Sequence, residues 1–169
     1  MKLVSFSNNG QEGFGFFSQS GIYPVLEKFK KEFPNLRAVI GSQKIEDFET
    51  FCENNPIPLS KVSLLPPIPN PGKIICAGMN YRKPYPVDGV APPDPGNVVI
   101  FARHTETLVG HGADLELPSG KAAETFDFEG EIVAVIGKSG RFISKDDALK
   151  HVIGYSIMNE GSVRGWMKH

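Results

Sequence analysis

Two glutamates with a single glycine between them stand near the start of DFEGEIVAVIG, residues 127–137. On a strand, side chains alternate faces with period two, so Asp127, Glu129, Glu131, Val133 and Val135 share one face. Phe128, Gly130, Ile132, Ala134 and Ile136 take the other. A fully solvated face stays polar along its length, whereas the acidic one turns apolar halfway. The acids therefore sit where a wet surface runs into a buried one. Carboxylates at i and i+2 stand roughly 6.5–7 Å apart at Cα, close enough for both to grip one ion. Without a cation, their repulsion raises at least one pKa or strains the strand. Spacing alone leaves two readings open, a metal site and a common pair of surface acids.

Other chemistries find less support. A net charge of −1 and a pI near 6.4 offer no basic field for nucleic acid. No apolar run approaches the ~20 residues needed to span a membrane. The opening MKLVSFSNNG lacks the apolar centre of a signal peptide. Cys52 and Cys76 have no C-x-x-C spacing, which argues against a zinc or disulfide framework and for a reducing, cytoplasmic setting. GKSG at 137–140 is a turn rather than a Walker loop, and GQEGFGFF does not make GxGxxG.

The elements that must position these acids follow from pattern and punctuation. Eleven of the 14 prolines fall between residues 56 and 95, dividing the chain into 1–54, 55–72 and 73–169. In the first part, KLVSF and GFGFF read as strands joined by the polar turn SNNGQEG, and YPVLEKFKKEF as a short amphipathic helix. The second, NPIPLSKVSLLPPIPNPG, reads as a proline-stiffened linker. In the third, KIICAG (73–78) and VVIFAR (98–103) read as buried strands. Between them MNYRKPYPVDGVAPPDPGN has no periodicity, as a lid, a binding loop or a plain connector would. DLELP precedes the acidic strand, Ser144 and Asp147 form a capping-box pattern ahead of a helix, VIGYSIMNE (152–160) is a strand, and SVRGWMKH begins a further helix. The whole reads as α+β, mostly β, with a β-roll or sandwich core behind a small N-terminal α+β section.

From Lys73 onward the chain resembles the fumarylacetoacetate hydrolase family. The matching stretches are KIICAGMNYR (73–82), LVGHG (108–112) and DFEGEIVAVIGKSGRFISKDDALKHVIGYSIMNEGSVRGW (127–166). The resemblance implies a mixed β-roll catalytic fold, often dimeric, that binds Mg2+, Mn2+ or Ca2+. It implies cleavage of C–C bonds in β-diketo acids such as acylpyruvates and fumarylpyruvate, or decarboxylation or isomerisation of related keto acids. It makes Glu129 and Glu131 two metal ligands and Glu160, in MNEGS, the third, where the family has Asp. Hard oxygen ligands of this kind suit Mg2+, Mn2+ or Ca2+ better than Zn2+. It places His111 near the metal as a candidate base, with His104 a weaker one. Arg103, by its planar guanidinium, is a candidate for a substrate carboxylate or a surface charge. Tyr81 and Arg82, entering the lid, are candidates for substrate contact or a turn role.

Three departures qualify what the resemblance implies. Family hydrolases carry N-Y-x-x-H-x-x-E in the lid, and here NYRKPYPV puts Pro84 and Val87 at the His and Glu positions. Gly165 stands where many relatives have an acid. Family members also continue past His169. The expected function is thus metal-dependent hydrolysis of a small β-diketo acid by a cytoplasmic homodimer. The alternatives are decarboxylation, isomerisation or a non-catalytic relative.

Overall fold

The computed structural model describes residues 1–78 and 96–166, which carry ten strands and two short α-helices, an α+β fold that is mostly β. Contacts gather the chain into two compact units, Met1–Ile68 with Val109–His169, and Pro69–Leu108. These groupings cut across the composition boundaries at 54 and 72.

In the first unit, β1 (Lys2–Asn8) and β2 (Gln11–Ser18) form a hairpin. Its turn is only Asn9–Gly10, at φ 51° and 78°. Asn-Gly tolerates this left-handed geometry, whose twist suits a two-residue hairpin, so both strands run further into SNNGQEG than its polarity suggests. β3 (Gly21–Pro24) and β4 (Ser63–Leu64) complete an antiparallel sheet of order β3-β2-β1-β4. The predicted helix shortens to α1 (Glu27–Glu32), because Tyr23 and Pro24 belong to β3. A second helix, α2 (Leu36–Ser42), is capped by Asn35, whose side chain accepts from the Ala38 N–H at 3.0 Å. Phe14, Phe29, Leu36, Val39 and Phe48 form the core. The proline-rich segment does more than connect. Ile57 exchanges backbone hydrogen bonds of 2.9 and 2.7 Å with Ile22, and the same segment supplies β4.

The second unit holds β5 (Ile74–Gly78) and β6 (Val99–Arg103), paired antiparallel. Their sequences predict buried strands, but Ile75 is 59% and Ile100 64% exposed. No further strand joins this ladder among the described residues.

Later in the first unit, the segment predicted as one acidic strand is broken in two. β7 (Phe126–Asp127) pairs with β10 (Ser162–Val163), while β8 (Gly130–Ile136) pairs with β9 (Val152–Asn159). Ser144 caps as expected, accepting from the Asp147 N–H at 3.2 Å, yet Lys145–His151 winds as a 3-10 segment rather than an α-helix. Leu149 is exposed there, so no buried apolar stripe favours the longer winding. The helix expected from SVRGW is likewise β10 followed by a 3-10 turn, Arg164–Trp166.

Candidate metal centre

Pairing of β8 with β9 sets Gly130 opposite Asn159 and Glu131 opposite Met158. The start of one strand thus meets the end of the other. Glu129 immediately precedes β8, Glu160 immediately follows β9, and the Glu160 N–H donates to the Glu129 carbonyl at 2.8 Å. The Glu129 N–H in turn donates to Asn159 Oδ1 at 3.0 Å. Period two then brings Glu131 to the same side as Glu129.

One carboxylate oxygen from each of Glu129, Glu131 and Glu160 lies within 4.8 Å of the others. Two oxygens on opposite sides of one ion stand at twice the bond length, about 4.2 Å for Mg2+ and about 4.6–5.2 Å for Ca2+. Separations up to that 4.8 Å limit let three carboxylates share one hard cation. An all-carboxylate donor set is that of a hard cation.

Bringing three acids together has an electrostatic cost. Glu160 is buried, and Glu129 and Glu131 are half-buried. Burial pushes the Glu131 carboxyl above its ordinary range, and the charges of Glu129 and Glu160 push it further. Arg164 offsets part of this. Its Nη1 donates to Glu129 Oε1 at 3.0 Å and its Nε to Asp127 Oδ2 at 3.3 Å. The β7–β10 pairing, Ser162 opposite Asp127, delivers the guanidinium to this point. Asp127 is held by that arginine and by the Phe128 N–H, which donates to Oδ1 at 2.9 Å, rather than joining the three glutamates.

A cleft of about 430 Å³ lies beside the cluster, between Ala113–Leu115 and Phe126–Phe128, with Asn159 on its wall. Gly161 allows the cleft's walls to close in. A Cβ there would stand 2.9 Å from the Phe126 ring and 3.0 Å from Leu115.

The other expected site residues lie on separate segments of the chain. His111 is exposed on a loop whose seat depends on Gly110, where a Cβ would meet the Leu64 carbonyl oxygen at 1.9 Å. Among the described residues His111 is not one of the groups that converge on the cluster. Arg103 ends β6 in the other compact unit, its guanidinium 5.9 Å from the Phe101 ring. Tyr81, Arg82, Pro84 and Val87, and with them the expected lid, lie outside the described residues. A Cβ at Gly165 would be 3.0 Å from Thr125 Oγ1, so an acid here would crowd that hydroxyl. Sequence reasoning missed Asn159 and Arg164. The adjacency of Asn159 to Glu160 was a signal for the first, whereas Arg164 needed the two-residue β7–β10 pairing, which no periodicity announces.

Residues 73–169 match the family model Fumarylacetoacetate (FAA) hydrolase C-terminal. With more than half the chain matched, the class is defined by sequence and fold together. The chain belongs to the fumarylacetoacetate hydrolase family. It is 31% identical over 178 residues to the mitochondrial oxaloacetate tautomerase fahd2 of Xenopus laevis, covering 98% of this chain and 53% of that protein. It is 42% identical over 111 residues to the oxaloacetate tautomerase YisK of Bacillus subtilis, covering 65% of this chain and 36% of that protein. Among solved structures, the fumarylacetoacetate hydrolase of Exiguobacterium antarcticum superposes with a TM-score of 0.74 at 27% identity, over 99% of this chain and 58% of that one. The maleylpyruvate hydrolase of Sphingobium sp. SYK-6, solved with manganese(II) ion and pyruvate, shares the fold with a TM-score of 0.68 at 23% identity, over 98% of this chain and 60% of that one. The chain thus spans about half the length of the relatives it matches, or less. No helix among the described residues is long and apolar enough to cross a membrane.

Proposed function

We propose that the chain is a divalent-metal-dependent enzyme of small keto acids, and that keto–enol tautomerisation suits it better than C–C hydrolysis. The convergence of Glu129, Glu131 and Glu160 carries this reading. The names of the two sequence relatives, both oxaloacetate tautomerases, point to the same reaction type.

Glu129, Glu131 and Glu160 would hold Mg2+ or Mn2+, with Ca2+ as a further fit. Such an ion, when bound, supplies Lewis-acid polarisation of a keto oxygen. The chain's own residues do the rest. Asn159 fixes the backbone of Glu129, and the cleft between Leu115 and Phe126–Phe128 would seat a small keto acid beside the cluster. Tautomerisation moves one proton from carbon to oxygen, breaking C–H and forming O–H. It needs no activated water, whereas hydrolysis does. Pro84 and Val87, at the positions where the resemblance puts a His and a Glu, have no group to take a proton from water. We assign the proton relay to His111, carboxylate contact to Arg103 and substrate contact to Tyr81 and Arg82.

Hydrolysis of an acylpyruvate is the second reading, favoured by the likeness to the Exiguobacterium antarcticum hydrolase. We further propose a cytoplasmic homodimer. Cys52 and Cys76 form no disulfide, which suits a reducing compartment.

The deciding test follows loss of the oxaloacetate enol by its ultraviolet absorbance with and without Mn2+, beside cleavage of acetylpyruvate. Enol loss should accelerate with Mn2+ and fall at least about tenfold in Glu131→Gln, with slow cleavage. Brisk acetylpyruvate cleavage without effect on the enol would favour the second reading.

A further inference from the structure

Arg164 brings to the acid cluster a positive charge that a bound cation would make redundant. Its side chain and that of Glu129 are only 21% and 18% exposed, and they meet at 3.0 Å. The backbone that carries it is fixed on both sides. β10 pairs with β7 before it, and the Gly165 N–H donates to Thr125 Oγ1 at 3.0 Å after it. The guanidinium is held as well, its Nε on Asp127 Oδ2 at 3.3 Å and its Nη1 on Glu129, so it has little freedom to leave when a dication arrives.

Two effects then oppose each other. Holding Glu129 in one rotamer orders a ligand in advance and favours the ion. A full positive charge already paired with a carboxylate that would also hold a dication disfavours the ion. In a half-buried site, Coulomb repulsion between like charges sharing one carboxylate exceeds the entropy of one glutamate side chain. Repulsion wins. We propose that Arg164 is a built-in counter-ion that competes with the cation for Glu129. It steadies the metal-free cluster and keeps the bound ion weak enough to exchange. This rests on the metal reading of Glu129, Glu131 and Glu160.

Mn2+ titrations followed by the paramagnetic resonance signal of the free aquo ion read affinity without any turnover. Arg164→Gln removes the charge and keeps a hydrogen-bonding side chain. It should bind Mn2+ about tenfold more tightly, about 1.4 kcal/mol, while its metal-free form melts below wild type. Arg164→Lys keeps the charge and loses the fork, and should stay within about twofold of wild type. Unchanged or weaker binding by Arg164→Gln overturns the proposal. If that variant does not fold, weaker binding by Arg164→Lys overturns it equally, because orientation rather than charge would then govern the site. Wild-type Mn2+ binding that survives Glu131→Gln intact would instead defeat the metal reading itself, and the counter-ion role with it.

Discussion

Glu131 bears much of the strain of the cluster. Burial first, then the charges of Glu129 and Glu160, raises its pKa, so the folded chain keeps this proton to a higher pH than the unfolded chain does. Across that interval the folded state binds more protons, and stability falls as pH rises through it. Without metal, Glu131→Gln should melt at or above wild type at neutral pH, by on the order of 1–3 °C. The difference should close as pH drops below the ordinary Glu range. Calorimetry across pH checks this, and a neutral-pH midpoint well below wild type would show that the carboxylate is needed for folding. Glu129 and Glu131 were legible in the sequence because alternation alone puts them on one face. Glu160 was reached only through resemblance, since a partner 29 residues from Glu131 depends on the β8–β9 register. Arg164 was not legible as part of the site, for its role follows from a ladder two residues long.

β8 and β9 divide their labour between two faces. One carries Glu131, Val133 and Val135, half-buried. The other sets Ile132 across from Ile157 and Ala134 across from Tyr155. That second face is open in this chain, with Ile132 70% and Ile157 86% exposed. Contiguous apolar surface of this kind drives self-association. Ile157→Thr should therefore reduce concentration-dependent light scattering while changing stability by no more than about 0.5 kcal/mol. A large fall in midpoint would mean that Ile157 is packed rather than exposed. Strand existence was legible along this region, and strand continuity was not. The pattern DFEGEIVAVIG gives no sign of the break at Phe128–Glu129, because β7 and β8 take different partners. The same limit explains β5 and β6. Apolar composition marks a strand, but only neighbouring elements decide whether it is buried.

For the molecule, the sequence foretold a mostly β α+β fold and the family, since strands dominate and the match runs over residues 73–169. It did not foretell the grouping of Met1–Ile68 with Val109–His169, because contacts such as Gly110 against Leu64 join positions far apart in the chain. The central claim is that Glu129, Glu131 and Glu160 make one cation site, and one comparison tests it most directly. Thermal unfolding is measured for wild type and Glu131→Gln with and without Mn2+. Binding at 100-fold above Kd adds about 2.7 kcal/mol, which raises the midpoint of a chain this size by on the order of 5–10 °C. Wild type should show that rise and Glu131→Gln should lose most of it. An equal rise in both, or none in wild type, would contradict the assignment.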